Sequence, residues 1–140
     1  MKKLSSRLSI AVHILTLTAM SSKNCTSEFI ASSVNTNPAL IRRIIGYLKN
    51  AGLVAVQAGT GGTSIQKDIS EITLLDVYNA VEVTEGNGLF NFHKGNRQCK
   101  VGANIESILG AALKKAQTAM ENELRRITIK DIVDGINKLP

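Results

Sequence analysis

The segment "NPALIRRIIGYLKNAG", Asn37 to Gly52, constrains this chain more than any other. Asn37 is placed to cap a helix and Pro38 to occupy its first turn, where the missing N–H costs nothing, while Gly52 stops it. Between them Leu40, Ile41, Ile44, Ile45 and Leu48 recur at three- and four-residue steps, which makes one apolar stripe. Arg42, Arg43 and Lys49 must then point away from the core. Upstream, Ser27 to Val34 reads as a short helix capped by Thr26, with Phe29 and Ile30 facing inward, and Asn35 and Thr36 form a polar break. Two helices joined by a tight turn are therefore expected, the second with a basic outer face.

Downstream of Gly52, "LVAVQ" and "TSIQK" are short β-type runs separated by the glycines Gly59, Gly61 and Gly62, the pattern of a β-hairpin. A phosphate-binding P-loop would need Lys and Ser or Thr directly after its last glycine, followed by a helix. Here Thr63 and Ser64 follow, Lys67 comes too late, and the sequence ahead is strand-like. The dinucleotide-binding spacing fails as well. Helix, turn, helix and hairpin in this order make a winged helix, in which the second helix enters the major groove and the wing lies on the neighbouring backbone or minor groove.

The rest of the chain is mainly helical. Ser5 to Met20 forms a first helix with Leu8, Ala11, Val12, Leu15 and Ala19 on one face. Its apolar run from Ile10 is too short for a bilayer, which takes about 20 residues. His13 within it reads as a packing histidine. Thr73 caps a helix packed through Val77, Ala80 and Val81, and Glu85 to Lys100 is a loop. From Val101 to about Leu124, Val101, Ile105, Ile108, Ala112 and Ala119 approach heptad spacing, with Leu109, Ala116 and Met120 beside them. A helix of that length spans roughly 35 Å. It needs a partner surface, and a symmetry mate is the economical one, compatible with packing on the first helix of the same chain. Thr128 and Asp131 supply a capping box for a last short helix. The expected fold class is mainly α with a small β-hairpin: a winged helix-turn-helix domain over residues 1–83, then a sensing loop, a long dimerisation helix and a C-terminal helix over 84–140.

Charge divides the chain in the same sense. Residues 1–67 hold eight Lys or Arg and one acid, Glu28, whereas residues 68–140 hold nine bases and ten acids. A net +7 half beside a net −1 half fits one part that meets a polyanion and another with a different task. The composition, 44% apolar and 20% charged, is that of a folded domain rather than a disordered chain. Two cysteines 74 positions apart, Cys25 and Cys99, make no disulfide framework, so reduced thiols in the cytoplasm are expected. No Ser/His/Asp set and no paired carboxylates stand out, which argues against an enzyme.

Taken together, the first helix, "SEFIASSVNTNPALIRRIIGYLKNAGLV", the wing glycines, "EITLLDVYNAVE" and "CKVGANI" resemble the Rrf-two family of bacterial winged-helix transcription regulators. The resemblance implies a homodimeric DNA-binding regulator, a repressor, with the long helices of two subunits packed together and sensing placed in the loop before them. Candidate DNA contacts are Arg42, Arg43, Thr36, Asn37 and Lys49 from the helices, Gln57, Gly59, Thr60, Gly61, Gly62 and Thr63 from the wing, and Lys2, Lys3 and Arg7 from the start of the chain. The dimer interface would use Val101, Ile105, Ile108, Leu109, Ala112, Ala116 and Met120.

Two departures from the family pattern matter. Relatives carry an arginine before the first wing glycine and a tyrosine after the last, where this chain has Ala58 and Ser64, so the wing grips DNA less or differently. Cluster-binding members place three cysteines before the long helix, whereas this loop has Cys99, with His93 nearby, and no iron-sulfur cluster or other cofactor is expected. Cys99, between Arg97 and Lys100 and just ahead of a helix, is a candidate redox sensor, with His93 beside it. Double-stranded DNA and a second copy are the expected partners, a small-molecule or protein effector stays open, and no membrane is involved. The altered wing also leaves open a protein-interaction module that docks a metabolic enzyme or another regulator.

Overall fold

The computed structural model describes residues 6–82, 90 and 92–140. Six helices and two strands follow one another as α1 (Arg7–Met20), α2 (Ser27–Val34), α3 (Pro38–Asn50), β1 (Val54–Val56), β2 (Thr63–Ile65), α4 (Leu74–Val81), α5 (Lys100–Arg126) and α6 (Ile129–Asn137). The contacts divide into two units, Met1–Val83 with Arg125–Pro140, and Thr84–Leu124. The expected division at residues 83 and 84 thus misplaces the end of the chain: α6 belongs with the winged helix.

α2, α3, α4 and α6 each start where a side chain accepts from a free amide of the first turn, whereas α1 has no side-chain cap. Thr26 Oγ1 accepts from Phe29 N at 3.1 Å, and Asn37 Oδ1 from Leu40 N at 2.9 Å. Thr73 with Asp76 and Thr128 with Asp131 form reciprocal capping boxes. Between α2 and α3 the chain reverses through Asn35, the one non-glycine residue with positive φ (65°) among the described residues. Its N–H and that of Thr36 both donate to Ala31 O, at 2.8 and 3.0 Å. Asparagine tolerates this left-handed backbone, so the turn needs no glycine.

The core of the winged-helix unit gathers residues from all its helices. Ile14, Leu15, Ile30, Ile41, Ile44 and Leu48 are fully buried, joined by Ile72, Val77, Val81 and Ile129. The face expected for α1 is corrected: Ile14 and Thr16 are buried whereas Ala19 is exposed. α1 is apolar nearly all round, so periodicity does not select a face, and the elements packed around it decide. Thr16 is accommodated because its hydroxyl donates to Val12 O at 2.7 Å. His13 is half-buried and shares a 2.8 Å hydrogen bond with Ser33 Oγ, which agrees with a packing histidine.

β1 and β2 pair antiparallel with Val54 opposite Ile65, Ala55 opposite Ser64 and Val56 opposite Thr63. α6 is tied to the same unit by backbone bonds, Leu74 N to Ile127 O at 2.8 Å and Ile129 N to Ile72 O at 2.9 Å. Thr128→Ala is expected to lower the unfolding free energy by about 1 kcal/mol, since a lost N-cap costs ~0.5–2 kcal/mol. Urea unfolding of this variant beside Ser107→Ala, an exposed mid-helix site, checks it: equal midpoints would mean that the cap contributes nothing.

Candidate nucleic-acid interface

α3 is anchored by one face and free on the other. Ile41, Ile44, Ile45 and Leu48 are at most 4% exposed, while Arg42, Arg43 and Lys49 lie in solvent. The helix cannot roll without breaking its buried stripe, so the basic face is held in one orientation. Arg42 Nη1 lies 3.7 Å from Glu28 Oε1 of α2, with both side chains largely exposed. A surface pair of this kind contributes about 0–1 kcal/mol and gives way easily to a phosphate or a base edge. Local sequence does not mark Glu28, the single acid of the basic half, as part of this surface, because only the α2–α3 turn brings it to Arg42.

Other candidates fare unevenly. Asn37, although exposed, uses its side-chain oxygen to cap α3, and Thr36 is half-buried in the turn. Arg7 is corrected: its guanidinium lies 3.3 Å from Glu82 Oε2, with side-chain exposures of 26% and 15%. A partly buried guanidinium with a carboxylate partner is a structural link between α1 and the end of α4, not a free cation for DNA. Lys2 and Lys3 lie outside the described residues.

In the wing, Gln57, Gly59, Thr60 and Gly61 are exposed, and Gly59 and Gly61 hold φ of 89° and 69°, which a side chain would strain. Gly62 and Thr63 are buried, which corrects their assignment to the DNA surface. A Cβ on Gly62 would collide with Asn24 Oδ1, and the Gly62 amide donates to Thr60 Oγ1 at 3.3 Å. Thr63 N donates to Cys25 O at 2.9 Å, so β2 is held against the α1–α2 loop as well as β1. The close approach that glycine permits here is to Asn24. Nothing in the local sequence signals this partner, 38 positions upstream.

Of the proposed interface on α5, Val101, Ile108, Leu109, Ala112 and Ala116 are exposed, whereas Ile105 and Met120 are half-buried. No residue of this 27-residue helix is buried. Its other side is partly covered within the same unit, where Phe90, Phe92 and Leu113 line one cleft and the Phe92 ring lies 3.6 Å from where a Gly110 Cβ would be. The small residue at position 110 admits that ring, a contact that heptad counting does not reveal.

Cys99 and His93 are both exposed. The Cys99 thiol is held below its ordinary pKa by the amides of Gly102 and then Val101 at the start of α5. Helix amides thus do what the flanking Arg97 and Lys100 were expected to share. A lowered pKa enlarges the thiolate fraction at pH 7, so Cys99 should alkylate with iodoacetamide faster than an ordinary cysteine, its rate midpoint lying below that of a cysteine in an unstructured peptide. Peptide mapping against pH tests this, with the buried Cys25 as the unreactive internal control; a midpoint at or above that of the Cys99 peptide excised from the protein would refute it.

The sequence pattern of the Rrf2 family, described as iron-dependent transcriptional regulators, matches residues 4–135. This chain belongs to the Rrf2 family. It is 44% identical over 134 residues to YwnA of Bacillus subtilis strain 168, described as an HTH-type transcriptional regulator, covering 95% of this chain and 98% of YwnA. A crystal structure described as that of a DNA-binding protein aligns at 41% identity with a TM-score of 0.75, over 91% of this chain and 98% of that one. CymR, the global cysteine regulator of B. subtilis, shares the fold at 20% identity and a TM-score of 0.65, over 96% and 98% of the two chains. This Rrf2 chain is accordingly a transcriptional regulator with a winged-helix fold, not an enzyme.

The donor set of this member does not fit an iron-sulfur cluster. Cys25 is 4% exposed with its thiol directed to Lys23 O at 3.6 Å, which leaves Cys99 as the accessible thiol of the chain. A cluster takes about four ligands, mainly thiolates. Among the described residues no three His, Cys, Asp or Glu side chains gather as a metal site.

Proposed function

We propose that this Rrf2 protein works as a homodimeric, sequence-specific repressor in the cytoplasm. The observation that carries the reading is α3: a helix fixed by a buried isoleucine stripe that presents Arg42, Arg43 and Lys49 outward. Arg42 and Arg43 read guanine edges or grip phosphates, Lys49 and the α2–α3 turn at Thr36 and Asn37 position the helix, and the exposed wing tip from Gln57 to Gly61 meets the adjacent backbone. The bare face of α5, with Val101, Ile108 and Leu109, joins two subunits so that their α3 helices meet successive half-sites, ~34 Å or a multiple of it apart. Cys99, with His93 in the same loop, serves as the sensing position.

Selection of bound fragments from genomic DNA, followed by footprinting, tests the reading. A reproducible palindromic site is expected, and transcripts next to it should rise when the gene is deleted. Enrichment of no reproducible sequence would instead favour an interaction module, a reading that the missing wing arginine at Ala58 motivates.

A further inference from the structure

α3 carries a glycine for which the fold itself has no use. Gly46 lies in the interior of the helix, Pro38–Asn50, where glycine is less favourable than alanine by roughly fivefold in the helix equilibrium. A cost of this kind is ordinarily offset by a neighbour that needs the space, as the Phe92 ring does beside Gly110. Gly46 has no such neighbour. Apart from its chain neighbours and the helix backbone, no described atom comes within 4 Å of where a Cβ would stand, and its φ is not positive. Gly135 of α6 has equally open surroundings, but it lies in the last turn, where helices fray and the interior cost fades.

On a helix surface the neighbours of a residue stand three and four positions away. For Gly46 these are Arg42, Arg43, Lys49 and Asn50, and all four are exposed. The glycine is thus a notch at the centre of the basic face, on the side of α3 away from the buried stripe of Ile41, Ile44, Ile45 and Leu48. Its rim offers three cations and an amide. Its floor is helix backbone whose amides are already bonded within α3, so it has no donor for a phosphate and suits an apolar group. Of the groups that base pairs present in the major groove, the C5-methyl of thymine is the apolar one.

With α3 as the helix that enters the major groove, on which this rests, we propose that Gly46 is a specificity-determining residue that seats a thymine methyl beside the bases read by Arg42 and Arg43. A side chain at this position would hold α3 away from the base edges and lengthen the arginine contacts on either side.

Fluorescence anisotropy with the selected operator, and with duplexes in which each thymine in turn is replaced by deoxyuridine in both half-sites, provides the test. For the wild-type protein one position should show a loss of about fourfold per half-site, the effect of one buried methyl, and it should neighbour a base whose preference disappears in Arg42→Ala or Arg43→Ala. Gly46→Ala should raise the melting temperature, because a helix-interior glycine is removed, and yet weaken operator binding about five- to a hundredfold through overpacking. On the duplex lacking that methyl the same variant should regain affinity, the reverse of the wild-type response, which a change in the fold alone does not produce. Gly46→Gln should lose operator preference while keeping the salt-dependent binding of random duplex, since glutamine favours the helix and leaves the cations in place. Wild-type operator affinity in Gly46→Ala, or equal losses on thymine and deoxyuridine duplexes, overturns the notch and leaves α3 as the reading helix. Failure of the underlying reading looks different: no operator is selected, or Arg42→Ala with Arg43→Ala keeps the preference.

Discussion

Replacing Arg42 and Arg43 together by alanine is expected to reduce operator binding to nearly the level of random DNA. A bidentate arginine-guanine contact discriminates by about 1–3 kcal/mol, so two such residues per subunit represent about 2–6 kcal/mol, counted twice in a dimer. The whole gap between specific and non-specific binding is typically about 4–10 kcal/mol, and the two arginines can therefore account for most of it. The fold should not suffer, because both side chains are exposed on α3 and alanine favours the helix. Lys49→Ala, by contrast, should weaken operator and scrambled duplexes alike and reduce the salt dependence by roughly two units of slope, about one per subunit. Fluorescence anisotropy with both duplexes at fixed salt distinguishes these outcomes. Retained sequence preference in the double arginine variant would remove α3 as the reading helix.

The second large effect concerns α5. Val101 and Ile108 are 67% and 71% exposed, and with Leu109 at 41% they line one side of a helix that buries nothing. Single exposed apolar residues are ordinary, but a row of them along one helix marks an interface. Val101→Glu with Ile108→Glu is expected to convert a dimer into a monomer, because two carboxylates per subunit would lose their water in an apolar contact. Operator affinity should then fall by about 10²–10⁴, the usual loss when two linked binding events become independent. The thermal transition of the winged-helix unit should change little, since neither residue belongs to it. Sedimentation equilibrium provides the check; a double variant that still sediments as a dimer would show that another surface joins the subunits.

The two predictions draw on features of different legibility. α3 was visible in full, from cap to stop, because a capping side chain acts within three residues and a buried stripe repeats within four. The same holds for the cap at Thr73, for the box of Thr128 with Asp131 and for the wing glycines with positive φ, whereas the return bond of Asp76 to Thr73 comes from the structure. The turn at Asn35 is legible as a polar break, whereas its left-handed backbone depends on how α2 and α3 pack. Only part of α5 was legible: the heptad row marks the bare face, but the opposite face depends on where Phe92 comes to rest against Gly110.

What the sequence determined by itself is the succession of helices and strands, the basic outer face of α3, and a thiol at the head of α5. These follow from interactions between residues a few positions apart. Only the tertiary structure decided which outward-facing groups are free. Arg7 is matched by Glu82, 75 positions away, Gly62 by Asn24, and Thr63 is drawn under the wing by Cys25. The structure also placed α6 with the winged helix through its bonds to Ile72 and Leu74. Local physics establishes what a residue can offer, but pairing depends on which distant segment packing brings within bonding distance.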